Sequence, residues 1–294
     1  MYQFLFIALT LAVVTSSCTK SKSRSFTTQS PTKIINGTPV AARDEMSQSV
    51  VGLMMHYPMS ETEKAWIQGC TGSVIGPRLV LTAAHCVDGF QSSELAINIT
   101  LNAVTVDQQF NPATRLSDDQ VQAQFNLKSI QGFRQHPDYS SGAQYDIAVI
   151  LLSEDLPSEF KPVQFLPENL YNLDDLKTKL DRTPIEVTLI GFGLFQEDPR
   201  QDSDVLRQTT VPARFEDQYV VTDQTKGSGG CNGDSGGPAF FKFENQTYLV
   251  GVTHGPYGES TTCHEQGQWL NPNFFHKFMN ESIAELVKEA QTSK

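Results

Sequence analysis

The chain has 294 residues, of which 39% are hydrophobic and 18 are Phe, so it carries enough apolar material for a packed core and does not have the composition of a disordered protein. The formal net charge is −11, and the Lys and Arg residues are scattered, so the sequence offers no basic face for nucleic acid. At this length the chain could form one large domain or two small ones.

The first 17 residues have the composition of an export signal peptide. Residues 4–14 form an apolar run, and the small polar residues 15–17 follow it directly. The run is shorter than the roughly 20 apolar residues that a membrane-spanning helix needs. Export signals usually carry a Lys or Arg before the apolar run, and this one does not, so a buried hydrophobic strand is the alternative. The sequence predicts an exported protein that is extracellular, periplasmic or lipid-anchored.

The cysteine count is odd, which needs an explanation in an exported protein. Cys18 follows the apolar run as in bacterial lipoproteins, although Thr15 stands where such processing sites usually have Leu. Cys18 is therefore either a lipidated anchor or part of a signal peptide that is discarded. In both cases the folded domain keeps four cysteines.

Those four cysteines are Cys70, Cys86, Cys231 and Cys263, and they permit three pairings. The simplest pairing joins Cys70 to Cys86 and Cys231 to Cys263. Each bridge would stabilise the fold by about 3 kcal/mol because it restricts the unfolded chain. Zinc ligation is the competing interpretation, but no pair has the CxxC spacing of a structural zinc site, so we expect no metal and no cofactor.

Residues 18–33 are rich in Ser, Thr and Lys and have few apolar residues, as is typical of a flexible linker or propeptide. From Ile34 onward, short apolar runs alternate with Gly, Pro and Asn, a pattern that favours an all-β sandwich or barrel. The predicted strands lie within residues 50–55, 72–75, 79–81, 147–152, 185–190 and 248–252.

Two polar stretches, residues 111–124 and 196–204, are predicted to be surface loops. Helical periodicity is confined to the end of the chain, where apolar residues recur at three- and four-residue intervals between Met279 and Ala290. This pattern predicts a helix with one apolar face.

A glycine-rich segment, Gly233-Asp234-Ser235-Gly236-Gly237-Pro238, predicts a tight turn that exposes one hydroxyl. A serine hydroxyl becomes a nucleophile when a base removes its proton. Backbone N–H groups beside it can bind the oxyanion of acyl transfer, and the loss of one such donor costs about 100- to 1,000-fold in rate. Ser235 is therefore the candidate nucleophile, with the N–H groups of Gly233 and Ser235 as the candidate oxyanion hole. On its own, such a turn is more often an ordinary loop.

Two further segments supply a candidate base and a candidate carboxylate. His85 lies in Thr82-Ala83-Ala84-His85-Cys86, where small residues flank it. Asp146 opens the apolar run 147–152, where a buried carboxylate must be hydrogen-bonded. An aspartate beside a histidine ring fixes the tautomer and stabilises the imidazolium that forms during attack. Taken singly, the two residues would be interpreted as a structural histidine and a strand-end carboxylate.

Together, TAAHC at 82–86, YDIAVILL at 145–152 and GDSGGP at 233–238, in the order His, Asp, Ser, resemble the chymotrypsin/trypsin family of serine proteases. The resemblance runs from residue 34 to about residue 277 and includes IING at 34–37, HPDY at 136–139 and GFG at 191–193. It implies a serine endopeptidase whose catalytic triad is His85, Asp146 and Ser235. Both cysteine pairings given above also coincide with bridges that are usual in this family.

The same resemblance implies the fold class and the domain organisation. The expected fold is all-β, with two packed six-stranded antiparallel Greek-key barrels and a C-terminal helix. The protease domain would span residues 34–294, after a signal peptide at 1–17 and a linker or propeptide at 18–33. Its two barrel halves would lie at roughly residues 34–155 and 163–275.

The resemblance further implies synthesis as an inactive zymogen. Members of this family are cut before a segment like residues 34–37, and the new amino terminus turns inward to pair with the aspartate beside the catalytic serine. In this chain the cut would follow Lys33, and the amine of Ile34 would pair with Asp234. Removing one partner of a buried ion pair costs roughly 3 to 5 kcal/mol, so the uncut form should have an ill-formed oxyanion hole. If Cys18 is lipidated, the same cut would release the enzyme from its anchor.

The expected specificity pocket is uncharged. Trypsin-like members carry an Asp six residues before the nucleophile, whereas this chain has Gly229 there. Gly230 follows it and Gly267 lies at the expected opposite wall, which favours an open pocket for a large apolar P1 residue such as Phe, Tyr or Leu. His254 falls at or beside the pocket wall and resembles the histidine of Glu-cleaving relatives, so an acidic P1 residue is the alternative.

Two other classes of function compete with proteolysis. One is a binding protein with this fold and an inactive site, although no triad residue is missing. The other is an esterase, although a nucleophile-elbow hydrolase orders its triad Ser, Asp, His. The expected partners are protein or peptide substrates, an activating protease with basic specificity and protein inhibitors. No nucleic acid is expected, and membrane contact would occur only through a lipid at Cys18.

Overall fold

The computed structural model describes residues 34–61, 63–167 and 185–292. The predicted signal peptide, the linker, Cys18 and Lys33 lie outside the described residues. The strands are β1 Thr38–Pro39, β2 Val50–Pro58, β3 Lys64–Gly76, β4 Leu79–Thr82, β5 Leu95–Asn98, β6 Lys128–Gln135, β7 Ala148–Leu152, β8 Gln164–Phe165, β9 Ile185–Gly191, β10 Arg207–Glu216, β11 Tyr219–Asp223, β12 Pro238–Phe243, β13 Gln246–Pro256 and β14 Gln266–Leu270. The helices are α1 Val106–Phe110, α2 Asp118–Phe125 and α3 His276–Thr292.

The first barrel is closed by six antiparallel strands in the order β2-β3-β4-β7-β6-β5. Its apolar runs became strands because their branched side chains fill the interior, and β7 is buried at all five positions. The register shifts between Leu53 and Met54, between Val74 and Gly76, and between Ile130 and Gly132. Such bulges bend strands and so help the sheet to close on itself.

The second barrel follows the order β9-β10-β11-β14-β13-β12 and closes where β12 pairs with β9. Strand β1 adds to β10, and β8 adds to β13 in the parallel direction. Trp269 of β14 is fully buried and lies in the core of this barrel. The structure confirms the predicted all-β fold of two six-stranded antiparallel barrels, and each of the six predicted strands lies within or overlaps an observed strand.

The prediction of a surface loop at residues 111–124 is wrong for its second half, where helix α2 forms. Ser117 caps the helix, because its Oγ accepts the N–H of Gln120 at 3.3 Å while the Gln120 side chain accepts the N–H of Ser117 at 2.8 Å. Val121 and Phe125, spaced by one helical turn, are buried beneath it. The Ser-x-x-Gln pattern before this apolar pair was the overlooked sign of a helix start.

Helix α3 confirms the predicted C-terminal helix and packs against β6 and β7 of the first barrel. Met279 and Leu286 are buried on its inner face. Gly132 of β6 leaves room for Leu286, since a Cβ at Gly132 would lie 3.1 Å from a Leu286 methyl carbon. Arg134 adds an ion pair to Glu285 at 3.5 Å. The C-terminal helix therefore packs against the first barrel, whose strands come earlier in the chain.

Both predicted disulfides form, with Cα atoms 6.2 Å apart in Cys70–Cys86 and 5.3 Å apart in Cys231–Cys263. The first ties β3 to the turn that carries His85. The second ties the segment before Ser235 to the turn before β14. Each bridge thus fixes one of the segments from which the candidate site is built.

Candidate active site

His85 lies on a short 3-10 turn, Ala84–Cys86, directly after β4. Its neighbours Ala83, Ala84 and Cys86 are fully buried, and Cys86 is bridged to β3. The small neighbours let the turn lie close against the barrel, while 30% of the His85 side chain stays exposed. The ring is therefore fixed at its base and accessible from the surface.

Asp146 lies two residues before the start of β7, and its side chain is fully buried. Its Oδ1 accepts the backbone N–H of His85 at 2.9 Å, and its Oδ2 lies 2.7 Å from Nδ1 of the His85 ring. Two bonds from one carboxylate to one residue set both the position and the orientation of the ring. The structure thus brings together the histidine and the aspartate that the sequence predicts as a pair.

A second histidine binds the same carboxylate, which the sequence did not predict. His254 of β13 places Nδ1 2.6 Å from Oδ2 of Asp146, and its ring meets the His85 ring edge-on with centroids 5.9 Å apart. His254 does line the cavity beside Ser235, but its Nδ1 faces the carboxylate. The register of β13 against β14 shifts between Thr253 and Gly255, so His254 is the extra residue of a bulge, a feature that re-aims side chains.

The pKa of Asp146 is lowered to about 2 by these contacts. Burial acts to raise this pKa, but the hydrogen bonds from His254 and His85 lower it by more. The carboxylate therefore stays ionised at neutral pH. An ionised carboxylate at this place can stabilise a positive charge on the His85 ring.

Ser235 lies in a turn that leads into β12. The N–H of Asp234 donates to the carbonyl of Cys231 at 3.0 Å, and the N–H of Gly237 donates to the carbonyl of Asp234 at 2.8 Å. Gly233 has a φ of 96°, in the region that favours glycine. The glycine-rich segment therefore forms the tight turn that the sequence predicts.

Thr71 of β3 holds this turn from the first barrel. Its N–H donates to the carbonyl of Ser235 at 2.8 Å, and its Oγ1 donates to the carbonyl of Gly233 at 3.0 Å. The N–H groups of Gly233 and Ser235 donate to no acceptor within the described part of the chain. Both N–H groups thus lack an acceptor within the described residues, which is what an oxyanion hole requires. Thr71 was not among the predicted site residues, and the sequence feature that could have indicated it is its position next to Cys70.

Asp234, the residue before Ser235, is buried in a pocket of its own. Its Oδ1 accepts the N–H of Gly193 at 2.8 Å, and its Oδ2 accepts the N–H of Cys231 at 2.8 Å. No described residue forms an ion pair with it. Burial therefore raises the pKa of Asp234 to about 7, although the two N–H donors act to lower it.

Glycines bound the Asp234 pocket, and the segment that begins at Ile34 lies beside the residues that precede Ser235. A Cβ on Gly191 or Gly193 would overlap the Asp234 carboxylate, so the GFG segment leaves room for it. Ile34 is buried in the core of the second barrel, with a φ of 44° that is unfavourable for a β-branched residue. The carbonyl of Ile35 accepts the N–H of Gly229 at 3.2 Å. The IING segment thus lies against the residues that precede Ser235.

A cavity of about 260 Å³ opens beside Ser235. The side chains and backbone that line it include no Asp, Glu, Lys or Arg. They are His85, Gln224, Gly230, Cys231, Asn232, Ser235, Thr253, His254, Gly255, Pro256, Thr262, Cys263 and Trp269. The cavity joins the candidate base to the candidate nucleophile, and its lining carries no carboxylate, ammonium or guanidinium group.

Two of the three glycines predicted to open this pocket instead accommodate buried side chains. A Cβ on Gly229 would overlap Gln224, and a Cβ on Gly267 would overlap Trp269. Neither glycine lines the cavity, whereas Gly230 does. An amide and an indole therefore line the cavity where open space was predicted, and neither residue was predicted, because the sequence does not show which side chain packs over each glycine.

Gln224 is fixed at the base of the cavity by its own hydrogen bonds. Its Nε2 donates to the carbonyls of Gly230 at 3.2 Å and Cys263 at 2.9 Å, and its Oε1 accepts the N–H of Gly230 at 2.7 Å. Both amide hydrogens are thus used inside the protein. Gln224 offers a substrate an uncharged surface with no free donor.

Three groups of potential metal-binding side chains occur in the described residues. Two of them, Cys70 with His85 and Cys86, and Glu197 with Cys231 and Cys263, depend on sulfurs that are joined in disulfides. In the third, His85 and His254 each lie at hydrogen-bond distance from Asp146, with no room for an ion between nitrogen and oxygen.

Comparison with known proteins identifies the chain further. A family model described as Trypsin matches residues 50–268. Brachyurin of Leptuca pugilator is 30% identical over 206 residues, which cover 66% of this chain and 77% of that protein. Venom serine protease Bi-VSP of Bombus ignitus is 32% identical over 250 residues, covering 77% and 62%. Chymotrypsin-like elastase family member 1 of Bos taurus is 26% identical over 239 residues, covering 75% and 78%.

The fold and the site together define a serine hydrolase built from two β-barrels. The family match and the relatives make this more specific: the chain belongs to the trypsin family and is a serine endopeptidase.

Proposed function

We propose that the protein hydrolyses peptide bonds through a triad of His85, Asp146 and Ser235. The observation that carries this proposal is the pair of bonds from Asp146 to His85, at 2.9 and 2.7 Å, beside a cavity that His85 shares with Ser235. In the reaction, Nε2 of His85 takes the proton of the Ser235 hydroxyl as its Oγ attacks the scissile carbonyl carbon. The imidazolium is stabilised by the ionised Asp146.

The tetrahedral intermediate would place its oxyanion against the N–H groups of Gly233 and Ser235. Thr71 supports this role because it binds the carbonyl oxygens of the same two residues and so fixes the orientation of their peptide groups. Collapse of the intermediate returns the proton from His85 to the leaving amine and leaves an acyl group on Ser235. Water, deprotonated by His85, then releases the acid in a second pass through the same steps.

A fluorophosphonate probe tests the triad directly. We expect the activated protein to be labelled on Ser235, and we expect Ser235→Ala to lose the label. Ser228→Ala, which removes a serine outside the cavity lining, is the matched control and should keep it. Absence of label on the activated wild-type protein would favour the inactive binding protein over the enzyme.

We propose that the enzyme is made as a zymogen that is cut after Lys33. The amine of Ile34 would then supply the cation that Asp234 lacks among the described residues. The contact between Ile35 and Gly229 supports this proposal because it holds the new amino terminus near the segment before Ser235. Treatment with trypsin should raise activity, and the new amino terminus should read Ile-Ile-Asn-Gly. Lys33→Gln should prevent the activation, and activity without any cut would contradict the proposal.

For specificity, the lining of the cavity favours an apolar P1 residue. No carboxylate is present to bind Lys or Arg, and Gln224 has no free N–H for an acidic side chain. His254, the basis of the acidic alternative, commits its Nδ1 to Asp146. A peptide library, screened after activation and removal of the activating trypsin, should therefore give cleavage after apolar residues. Cleavage confined to sites after Glu would support the alternative.

The variant Gln224→Ala tests whether this cavity is the P1 pocket. Removing the amide from the base should enlarge the cavity and shift the preference toward larger side chains. Gln122→Ala on α2 removes the same side chain away from the cavity and should leave the preference unchanged. An unchanged preference in both variants would place P1 recognition elsewhere.

We also propose that the protein is exported. One relative is named as a venom protease. None of the helices in the described residues has the length and apolar character needed to cross a membrane. Cys18→Ser with cell fractionation distinguishes the two forms of export, because a lipid-anchored precursor should move from the membrane to the soluble fraction. The expected partners are protein substrates, an activator with basic specificity and protein inhibitors.

A further inference from the structure

The carboxylate of Asp146 has a full set of hydrogen-bond partners that come from both barrels. Its Oδ1 accepts the His85 N–H at 2.9 Å, and its Oδ2 accepts from two imidazoles, at 2.7 Å from His85 and 2.6 Å from His254. A carboxylate oxygen has two lone-pair sites, so Oδ2 is saturated. His85 and Asp146 belong to the first barrel, whereas His254 lies on β13 of the second.

We propose that His254 is a positioning residue that acts through Asp146 and makes proteolysis depend on two linked protonations. This inference rests on the proposed triad. A bond from β13 fixes Asp146 from the side opposite its own barrel, so His85 stays oriented as substrate enters the cavity between them. An ionised carboxylate only accepts hydrogen bonds, so each ring donates from Nδ1 and directs its Nε2 away from Asp146.

The second protonation matters because His85 and His254 share one negative charge, that of Asp146. In the reaction, the His85 imidazolium is stabilised by Asp146. If His254 is also protonated, a second positive charge lies on the same carboxylate and opposes the charge that develops on His85. The two rings are edge-on with centroids 5.9 Å apart, so a positive charge on one ring would act on the other. Acid therefore slows the enzyme through both histidines and not through His85 alone.

Few other titratable groups face this site. Tyr139 is near enough to sense Asp146: burial raises the pKa of its phenol first, and the charges of Asp146 and Asp88 raise it further. A phenol of this kind stays neutral through the acid range. Tyr139 therefore adds no charge to the site in that range.

Asn at position 254 is a matched replacement, because its side-chain nitrogen is the same number of bonds from Cα as Nδ1 of histidine. It can donate to Oδ2 of Asp146 but cannot be protonated. His254→Ala removes the donor, and His264→Asn changes an exposed histidine as a control.

We expect His254→Ala to lower kcat about 10- to 100-fold, the loss that follows when a hydrogen bond to a buried charge is removed. His254→Asn should recover most of this rate. In the wild type, log kcat/KM should fall at low pH with a slope approaching two, and in His254→Asn with a slope of one. His264→Asn should match the wild type. A wild-type slope of one, or identical acid limbs for wild type and His254→Asn, would overturn the inference.

Nuclear magnetic resonance of histidine-labelled Ser235→Ala protein separates this inference from the proposed function, because it needs no activity. At neutral pH we expect two hydrogen-bonded Nδ1 protons at low field, one of which disappears in His254→Asn. A single such proton, unchanged in His254→Asn, would contradict the proposal that both histidines donate to Asp146. Failure of fluorophosphonate labelling in the wild type would instead contradict the triad.

Discussion

Asp146 and Asp234 are both buried carboxylates that flank the candidate active site, and their pKa values move in opposite directions. Asp146 accepts one backbone N–H, at 2.9 Å, and Asp234 accepts two, each at 2.8 Å. Asp146 also accepts from two imidazoles, and its pKa is lowered to about 2. Asp234 has only its two backbone donors, and its pKa is raised to about 7.

The difference shows what a buried carboxylate needs in order to stay ionised. Two backbone N–H groups do not offset the loss of water around Asp234, whereas two added imidazole donors do so for Asp146. Asp146 therefore has its charge balanced by donors within the described chain, whereas Asp234 has no ion-pair partner among the described residues. The following predictions, taken from the largest effect to the smallest, test this contrast.

The largest effect should come from Asp146→Asn. The amide cannot hold His85 in the required tautomer, and kcat should fall about 10⁴-fold, as the equivalent change does in the reference enzyme of this family. Steady-state kinetics on the activated protein measure this loss. Asp138→Asn alters an exposed aspartate nearby and should have no effect on kcat. A loss below tenfold for Asp146→Asn would remove Asp146 from the triad.

Asp234→Asn should lower the activity of the cut enzyme about 1,000-fold, because a buried ammonium at Ile34 would lose its partner. The same variant should be labelled by the fluorophosphonate probe correspondingly slowly. Asp138→Asn again serves as the control. Full activity in cut Asp234→Asn would contradict the activation mechanism while leaving the triad untouched.

The uncut precursor should lose stability as the pH rises from about 4 to about 7. The folded state has a raised Asp234 pKa of about 7, so in this range it holds a proton that the unfolded state, with a pKa of 3.8, has released. The loss should level off above pH 7, at about 4 kcal/mol. Urea unfolding of the Ser235→Ala precursor near pH 4 and near pH 8 measures it.

A second precursor that combines Ser235→Ala with Asp234→Asn isolates this effect. It should lack the Asp234 contribution, so the difference between the two precursors should grow with pH. Parallel curves at both pH values would show that Asp234 is already paired before the cut.

The smallest of these effects should come from Gly193→Ala. A Cβ there would overlap the Asp234 carboxylate, which must then shift and carry the Ser235 turn with it. A displacement of about 1 Å in a catalytic group costs roughly 100-fold in rate. Gly132→Ala on β6 is the control away from the cavity, since a Cβ at Gly132 would approach only a Leu286 methyl carbon, at 3.1 Å. Equal activity of the two variants would mean that the Asp234 pocket adapts freely.

The sequence was sufficient for six of the strands, the C-terminal helix and the pairing of His85 with Asp146. These features depend on local patterns, namely apolar runs, helical spacing and motifs whose order in the chain is distinctive. The disulfides also followed, because four cysteines permit few pairings.

The remaining features depend on contacts between distant segments, which local patterns do not record. Thr71 supports the Ser235 turn from the other barrel, and Trp269 and Gln224 fill space that the glycines 229 and 267 leave open. His254 reaches Asp146 because β13 carries a bulge at that residue. A register shift of one residue changes where a side chain points, and the sequence of β13 alone does not reveal it.

Helix α3 has a consequence for how the molecule comes apart. It leaves the second barrel after β14 and lies on β6 and β7 of the first, where Leu286 fills the space above Gly132. Helix α3 therefore links the two barrels, and neither barrel can unfold without exposing apolar surface on the other. Thermal unfolding should therefore show one cooperative transition. Deleting residues of α3 should lower the stability of the first barrel.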